Sequence, residues 1–167
     1  GMKTVSSAQM REIDRRTIEE FGVPGEVLMD RAGKAVAEVV RELHGFQKVD
    51  SGAVQLMAGK GNNGGDAFVA AAYLKRWGYE PVVHMTVDAE SLAGDSLEHF
   101  RKMRMLNVPF YELVSVSDWE QWRLEDGGVV GIIVDGLLGT GMKGAPRGVA
   151  AAAIRRINQL ALKCRVV

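Results

Sequence analysis

The spacing of apolar residues changes once along the chain. Before His44 it is helical. Met10, Ile13, Thr17, Ile18 and Phe21 recur at i, i+3 and i+4, which predicts a helix from Ala8 to Phe21 capped by Ser6 or Ser7. Gly22 stops that helix, and Pro24 suits the first turn of a second one running to His44. Val27, Leu28, Ala32, Ala35, Val36, Val39, Val40 and Leu43 give the second helix a broad apolar face, and Gly45 ends it.

Beyond this point short apolar runs alternate with helical stretches. Strands are predicted at Ala53–Met57, Pro81–Val87, Pro109–Leu113 and, most strongly, Val129–Leu138. Helices are predicted at Asp66–Trp77, at Leu92–Leu106, in a short piece capped by Asp118 that carries Trp119 and Trp122, and at Val149–Leu162. In the second of these Asp95 and Glu98 precede Arg101, Lys102 and Arg104, the order a helix dipole favours. The chain ends on apolar Val166-Val167. Strands alternating with helices of this length predict βαβ units, hence an α/β fold: a mostly parallel sheet covered by helices on both faces, with two leading helices. No repeat, low-complexity tract or long linker divides the chain, so residues 1–167 are expected to form a single domain.

Composition narrows the partners. With 167 residues and 47% hydrophobic content the chain can bury an ordinary core without disulfide staples. Lys+Arg and Asp+Glu balance at 21 each, so there is no global basic field for nucleic acid or an anionic membrane. The charge is nevertheless uneven. After Asp135 come Lys143, Arg147, Arg155, Arg156, Lys163 and Arg165 with no acidic residue among them. The lone Cys164 excludes an internal disulfide and a multi-cysteine metal site, and His44, His84 and His99 show no ligand spacing. No apolar run approaches a membrane span, and the first residues lack the layout of a signal peptide, so a reducing, cytoplasmic setting is expected.

The glycines carry most of the remaining information. Gly59-Lys60-Gly61-Asn62-Asn63-Gly64-Gly65-Asp66 leaves a predicted strand and opens a predicted helix, where backbone N–H groups and the helix dipole can hold a phosphate. Gly59, Gly61 and Gly64 match GxGxxG, and Asp88 follows near the place of a ribose-binding acid. Gly139-Thr140-Gly141-Met142-Lys143-Gly144 matches the same pattern, which shows how little the pattern alone decides here. Asp66 at the helix start would repel a pyrophosphate, which argues against a dehydrogenase. The plain alternative is that both loops are tight turns and Asp66 is an N-cap. Asp135 ends the most apolar strand, where a carboxylate needs a partner or a ligand. A carboxylate with Asn and backbone carbonyls would suit a hard cation, while a turn aspartate is the simpler reading. Lys143 is either a phosphate partner or a solvated side chain.

Three blocks together resemble the N-terminal domain of the YjeF family, the NAD(P)HX epimerases: Leu28-Met29-Asp30-Arg31-Ala32-Gly33, the run Gly59 to Asp66, and Val134-Asp135-Gly136-Leu137-Leu138-Gly139-Thr140-Gly141-Met142-Lys143-Gly144. They follow in order over nearly the whole chain. The resemblance implies a Rossmann-like, three-layer αβα fold and a homodimer. It implies interconversion of R- and S-NAD(P)HX, the hydrated forms of NADH and NADPH, so that a companion dehydratase can act on both. By position, Asn62, Asn63, Gly64, Gly65 and Asp66 would contact the nucleotide, as would Gly139, Thr140, Gly141, Met142, Lys143, Gly144 and Ala145. Asn63 and Asp135 would help to hold a potassium ion. Epimerisation needs a group that protonates and deprotonates oxygen, and Asp66 or Asp135 is the candidate for that catalytic role.

The sequence departs from the family pattern in two ways. Ala67 stands where many members have Gly. Members also continue past a final apolar strand into an Ile-Pro-Ser-Gly-Leu-type loop, which supplies a Ser to the cation and an Asp to the nucleotide. On that comparison the chain reads as truncated at its C-terminal end, with part of the site missing. The competing reading from another class is a non-catalytic nucleotide- or RNA-binding and dimerisation module of the same fold. The basic C-terminal stretch is in its favour; neutral overall charge and the retained GNNGGD run with Asp135 are against it.

Overall fold

The computed structural model describes residues 22–47, 53–123, 132–137, 147–160 and 165–166. The elements run α1 (Gly25–Gln47), β1 (Ala53–Ala58), α2 (Asn62–Arg76), β2 (Glu80–Met85), a 3-10 turn (Ala89–Ser91), α3 (Gly94–Met105), β3 (Phe110–Glu112), α4 (Val116–Gln121), β4 (Ile132–Gly136), α5 (Gly148–Leu160) and β5 (Arg165–Val166). The predicted helix Ala8–Phe21 lies outside the described residues.

The five strands form one sheet in the order β3-β2-β1-β4-β5, and every described pairing is parallel. Each strand pair therefore needs a crossover, which is why strands and helices alternate in the sequence. From β1 the chain steps outward through α2 to β2 and through α3 to β3. It then returns to lay β4 on the other side of β1. The order reverses between β1 and β4, and in open α/β sheets that switch point opens a crevice at the carboxyl ends of the strands.

Strand alternation sorts the core into two layers. Val54, Leu56 and Ala58 of β1, Val83 and Met85 of β2, and Ile132 and Val134 of β4 face α1, α2 and α3, which contribute Val40, Phe68, Leu74, Phe100 and Met103. Met57 and Ile133 point the other way, against Trp119 of α4 and Ala153, Ile157 and Leu160 of α5. The helices on both faces and the parallel sheet agree with the α/β reading.

Two helix starts differ from the sequence reading. Asp118 does not cap α4. Ser115 does: its hydroxyl accepts from the Asp118 N–H at 3.0 Å, while the Asp118 carboxylate accepts from the Ser115 N–H at 3.1 Å, a reciprocal capping box. Asp66 does not cap α2 either, because that helix begins four residues earlier, at Asn62, behind Gly61. The strand read as Val129–Leu138 is described as Ile132–Gly136, and residues 129–131 and 138 lie outside the description. No helix among the described residues is long and apolar enough to cross a membrane.

Candidate functional site

The carboxyl ends of β1 and β4 meet at the switch point, and glycine makes the meeting possible. The Gly59 N–H donates to the Gly136 carbonyl at 2.9 Å, extending the β1–β4 register past Ala58↔Gly136. A Cβ on Gly59 would overlap the Leu137 backbone, and one on Gly64 would overlap the Gly59 carbonyl. A Cβ on Gly136 would stand 2.7 Å from the Met57 carbonyl oxygen and 3.3 Å from that of Asn63. Backbone thus packs on backbone at three points, closer than any side chain permits.

Gly61, at φ 75°, turns the chain into α2, and the Gly65 N–H donates back to the Gly61 carbonyl at 3.3 Å. The glycines at 64 and 65 are thus the first turn of a helix rather than a loop. The N-cap position is Gly61, which has no side chain with which to cap it. A helix N-terminus presents N–H donors and partial positive charge, the arrangement that binds an anion. Lys60, Gly61 and Asn62 are exposed beside it, Asn63 and Asp66 are half-buried, and Gly64 and Gly65 are buried. Asp66 lies one turn inside the helix rather than at its cap.

Asp135 is exposed at the end of β4, and its Oδ1 accepts from the Leu137 N–H at 3.1 Å. This is the turn-aspartate geometry, and it settles one carboxylate oxygen beside the crevice. Asn63 approaches the same strand end through its carbonyl oxygen near Gly136. The structure therefore sets the start of α2, at Asn63, and Gly59 against Gly136, the residue after Asp135, across the switch point. Gly139, Thr140, Gly141, Met142, Lys143, Gly144 and Ala145 lie outside the described residues. Among the described residues no three His, Cys, Asp or Glu side chains gather as a metal cluster. Asp88 is exposed after β2 and heads the 3-10 turn, where its carbonyl accepts from the Ser91 N–H at 3.0 Å and hydroxyl at 2.6 Å.

Three features near or below the crevice were given no role by sequence reasoning. Ser96, in the first turn of α3, is buried with no hydrogen-bond partner for its Oγ, and its Cα lies 3.4 Å from where a Gly65 Cβ would be. Met29 of α1 covers Gly65. On the opposite face of the sheet His84 is 3% exposed. Its Nε2–H donates to Gln55 Oε1 at 2.6 Å, its Nδ1 has no partner, and its ring packs on Tyr111 and Trp122. Burial pushes its pKa down from 6.5 to about 4. A lone histidine within an apolar strand carries no sequence signal for this; only the layers above and below it do.

A family profile described as the YjeF-related protein N-terminus matches residues 25–167. The chain is 33% identical over 150 residues to an "NAD(P)H-hydrate epimerase" of Rhodopirellula baltica, covering 90% of this chain and 57% of that protein. It is 32% identical over 158 residues to a "Bifunctional NAD(P)H-hydrate repair enzyme Nnr" of Moorella thermoacetica, covering 95% of this chain and 29% of that protein. The crystal structure of the yeast protein YNL200c superposes with a TM-score of 0.80 at 26% identity, covering 99% of this chain and 68% of that one.

Proposed function

The chain belongs to the family of YjeF-related protein N-termini, and from that premise we propose that it epimerises the R and S forms of NAD(P)HX. One observation carries the reading: the Gly59–Asp66 signature opens a helix at the β1/β4 switch point, with the end of β4 against its first turn. Such a helix N-terminus suits a pyrophosphate, and the crevice beside it suits the rest of a dinucleotide. The chain spans 57% of one epimerase relative and 29% of a bifunctional one, so activity, substrate and partners are proposed for the chain rather than carried over whole.

In this reading Asn62, Asn63, Gly64, Gly65 and Asp66 contact the nucleotide, and so do Gly139–Ala145. Inversion at the hydrated nicotinamide carbon requires hydroxide to leave and return on the opposite face, or the ring to open and close. Both routes need a proton moved at oxygen. Asp66 or Asp135 takes that role in this reading. Asn63 and Asp135 would hold potassium in this reading: a carboxylate and an amide oxygen are hard donors of the kind such a cation takes, and the Asn63 residue lies beside Gly136, next to Asp135 in β4. The ion would supply positive charge there and fix the carboxylate's orientation. A homodimer, a cytoplasmic setting and a dehydratase acting on the product complete the proposal.

The test is to supply one purified NADHX epimer, with and without potassium, and to follow appearance of the other by chromatography. Interconversion is expected, and Asp66→Asn or Asp135→Asn is expected to lower it by at least a hundredfold. Wild-type rates in both variants would remove the carboxylate assignment, and no interconversion by the parent chain would remove the reading.

A further inference from the structure

The block Leu28–Gly33 makes no contribution of its own to the crevice residues, yet it packs against them. It lies in the first turns of α1, and the structure sets those turns directly on the start of α2. Met29 is 6% exposed, and its Sδ and Cε occupy the space a Cβ on Gly65 would need. One turn later Gly33 lies so close to Val69 that a Cβ there would overlap that side chain and stand 2.8 Å from the Asp66 carbonyl oxygen. The two glycines are complementary: Gly65 of α2 admits a side chain from α1, and Gly33 of α1 admits one from α2. Their contacts fall on Gly65, Asp66 and Val69, within the first two turns that carry the nucleotide-facing residues.

The same stretch of α1 is fastened on both sides. Lys102 of α3 pairs with Glu26 at 2.5 Å, and the His99 Nε2–H donates to the Glu26 carbonyl at 3.3 Å. The Tyr73 hydroxyl of α2 donates to the Asp30 carboxylate at 2.9 Å. Glu26, Met29, Asp30 and Gly33 thus tie the beginning of α1 to α2 and α3 together. The first turn of α2 holds two glycines, whose freedom would otherwise let it unwind.

We propose that Met29, seated on Gly65 and backed by Gly33, is a positioning residue that holds the Gly64–Gly65–Asp66 turn in the geometry that binds the nucleotide. It touches no reacting atom; it acts through the turn. The inference rests on the proposed function for its substrate but not for its mechanics. A loosened turn must be ordered again by each substrate molecule, which weakens binding. Met29→Ala is therefore expected to raise KM for NADHX at least fivefold, with kcat reduced less than KM is raised, and Met29→Leu is expected to restore the parent KM. Met103→Ala makes the same deletion in α3, on a residue buried in the same layer, and is expected to lower the thermal midpoint while leaving KM unchanged. Should Met29→Ala fail to fold, Met29→Val removes less volume and carries the same comparison. A second readout needs no activity: amide hydrogen exchange over residues 62–67 is expected to quicken in the Met29 variant beyond that in Met103→Ala at matched stability. Parent-like KM and exchange in Met29→Ala, or equal effects in Met103→Ala, would overturn the proposal. If the parent chain does not epimerise NADHX, the exchange result still decides it.

Discussion

His84 makes the stability of this protein depend on pH in a definite direction. Its imidazole is 3% exposed, lies between the rings of Tyr111 and Trp122, and faces no charged partner in its hydrogen bonds. Burial lowers its pKa to about 4 from 6.5, so the folded protein refuses a proton that the unfolded chain accepts. Between those values the unfolded state binds more protons, and stability rises with pH. The contribution is complete above pH 6.5 and is lost as pH falls from there toward 4. At pH 4.5 the loss is about 2.5 kcal/mol, taking ~1.4 kcal/mol for each pH unit between the two pKa values. His84→Phe keeps a ring between Tyr111 and Trp122 but cannot titrate. It leaves Gln55 Oε1 without its donor, a cost of about 1–3 kcal/mol that is the same at both pH values. Urea unfolding of parent and variant at pH 7.5 and 4.5 separates the two effects. Carboxylates that titrate over this range do so in both proteins and cancel in the difference. The parent is expected to lose about 2.5 kcal/mol more than His84→Phe on acidification. Equal losses would show that His84 is not held neutral by its surroundings, and the burial argument would fall.

Two further substitutions probe the crevice. Gly59→Ala forces a methyl group into the Leu137 backbone, which cannot rotate aside. The expected cost is about 3 kcal/mol, visible as a lower thermal midpoint; a parent-like midpoint would mean that the β1 and β4 ends are not packed as described. Ser96→Ala removes a buried hydroxyl that has no partner. It is expected to be neutral or stabilising by about 1 kcal/mol in chemical denaturation, and a clear destabilisation would show that Oγ is satisfied in solution.

The misreadings of the start of α2 and of Asp66 share a cause. The start of α2 was read four residues late because paired glycines ordinarily signal a loop. Here they lie inside the helix, and glycine is required at both because Met29 and the Gly59 carbonyl occupy the positions side chains would fill. Asp66 was consequently read as a cap, when it lies a turn further along. The α4 cap was a different kind of miss. Ser115 and Asp118 stand at capping-box spacing, so the signal was local and available. The candidate site was legible in part. The composition of the Gly59–Asp66 run marked a candidate site, and the structure adds that Gly136 and Leu137 pack against it.

What the sequence determined by itself is whatever a few neighbouring residues can specify: which stretches are strands or helices, that they alternate, and that the strands must therefore be parallel. Periodicity and turn chemistry act within about ten residues, so they survive in a linear reading. What only the tertiary structure decided is which of these pieces come together. The placement of β4 beside β1 creates the crevice, the packing of α1 on α2 requires glycine at Gly65 inside a helix, and the closure of β3, α4 and β1 around β2 keeps His84 neutral. Each depends on the exclusion of atoms or water by segments distant in the chain, and no local pattern records what will be packed against it.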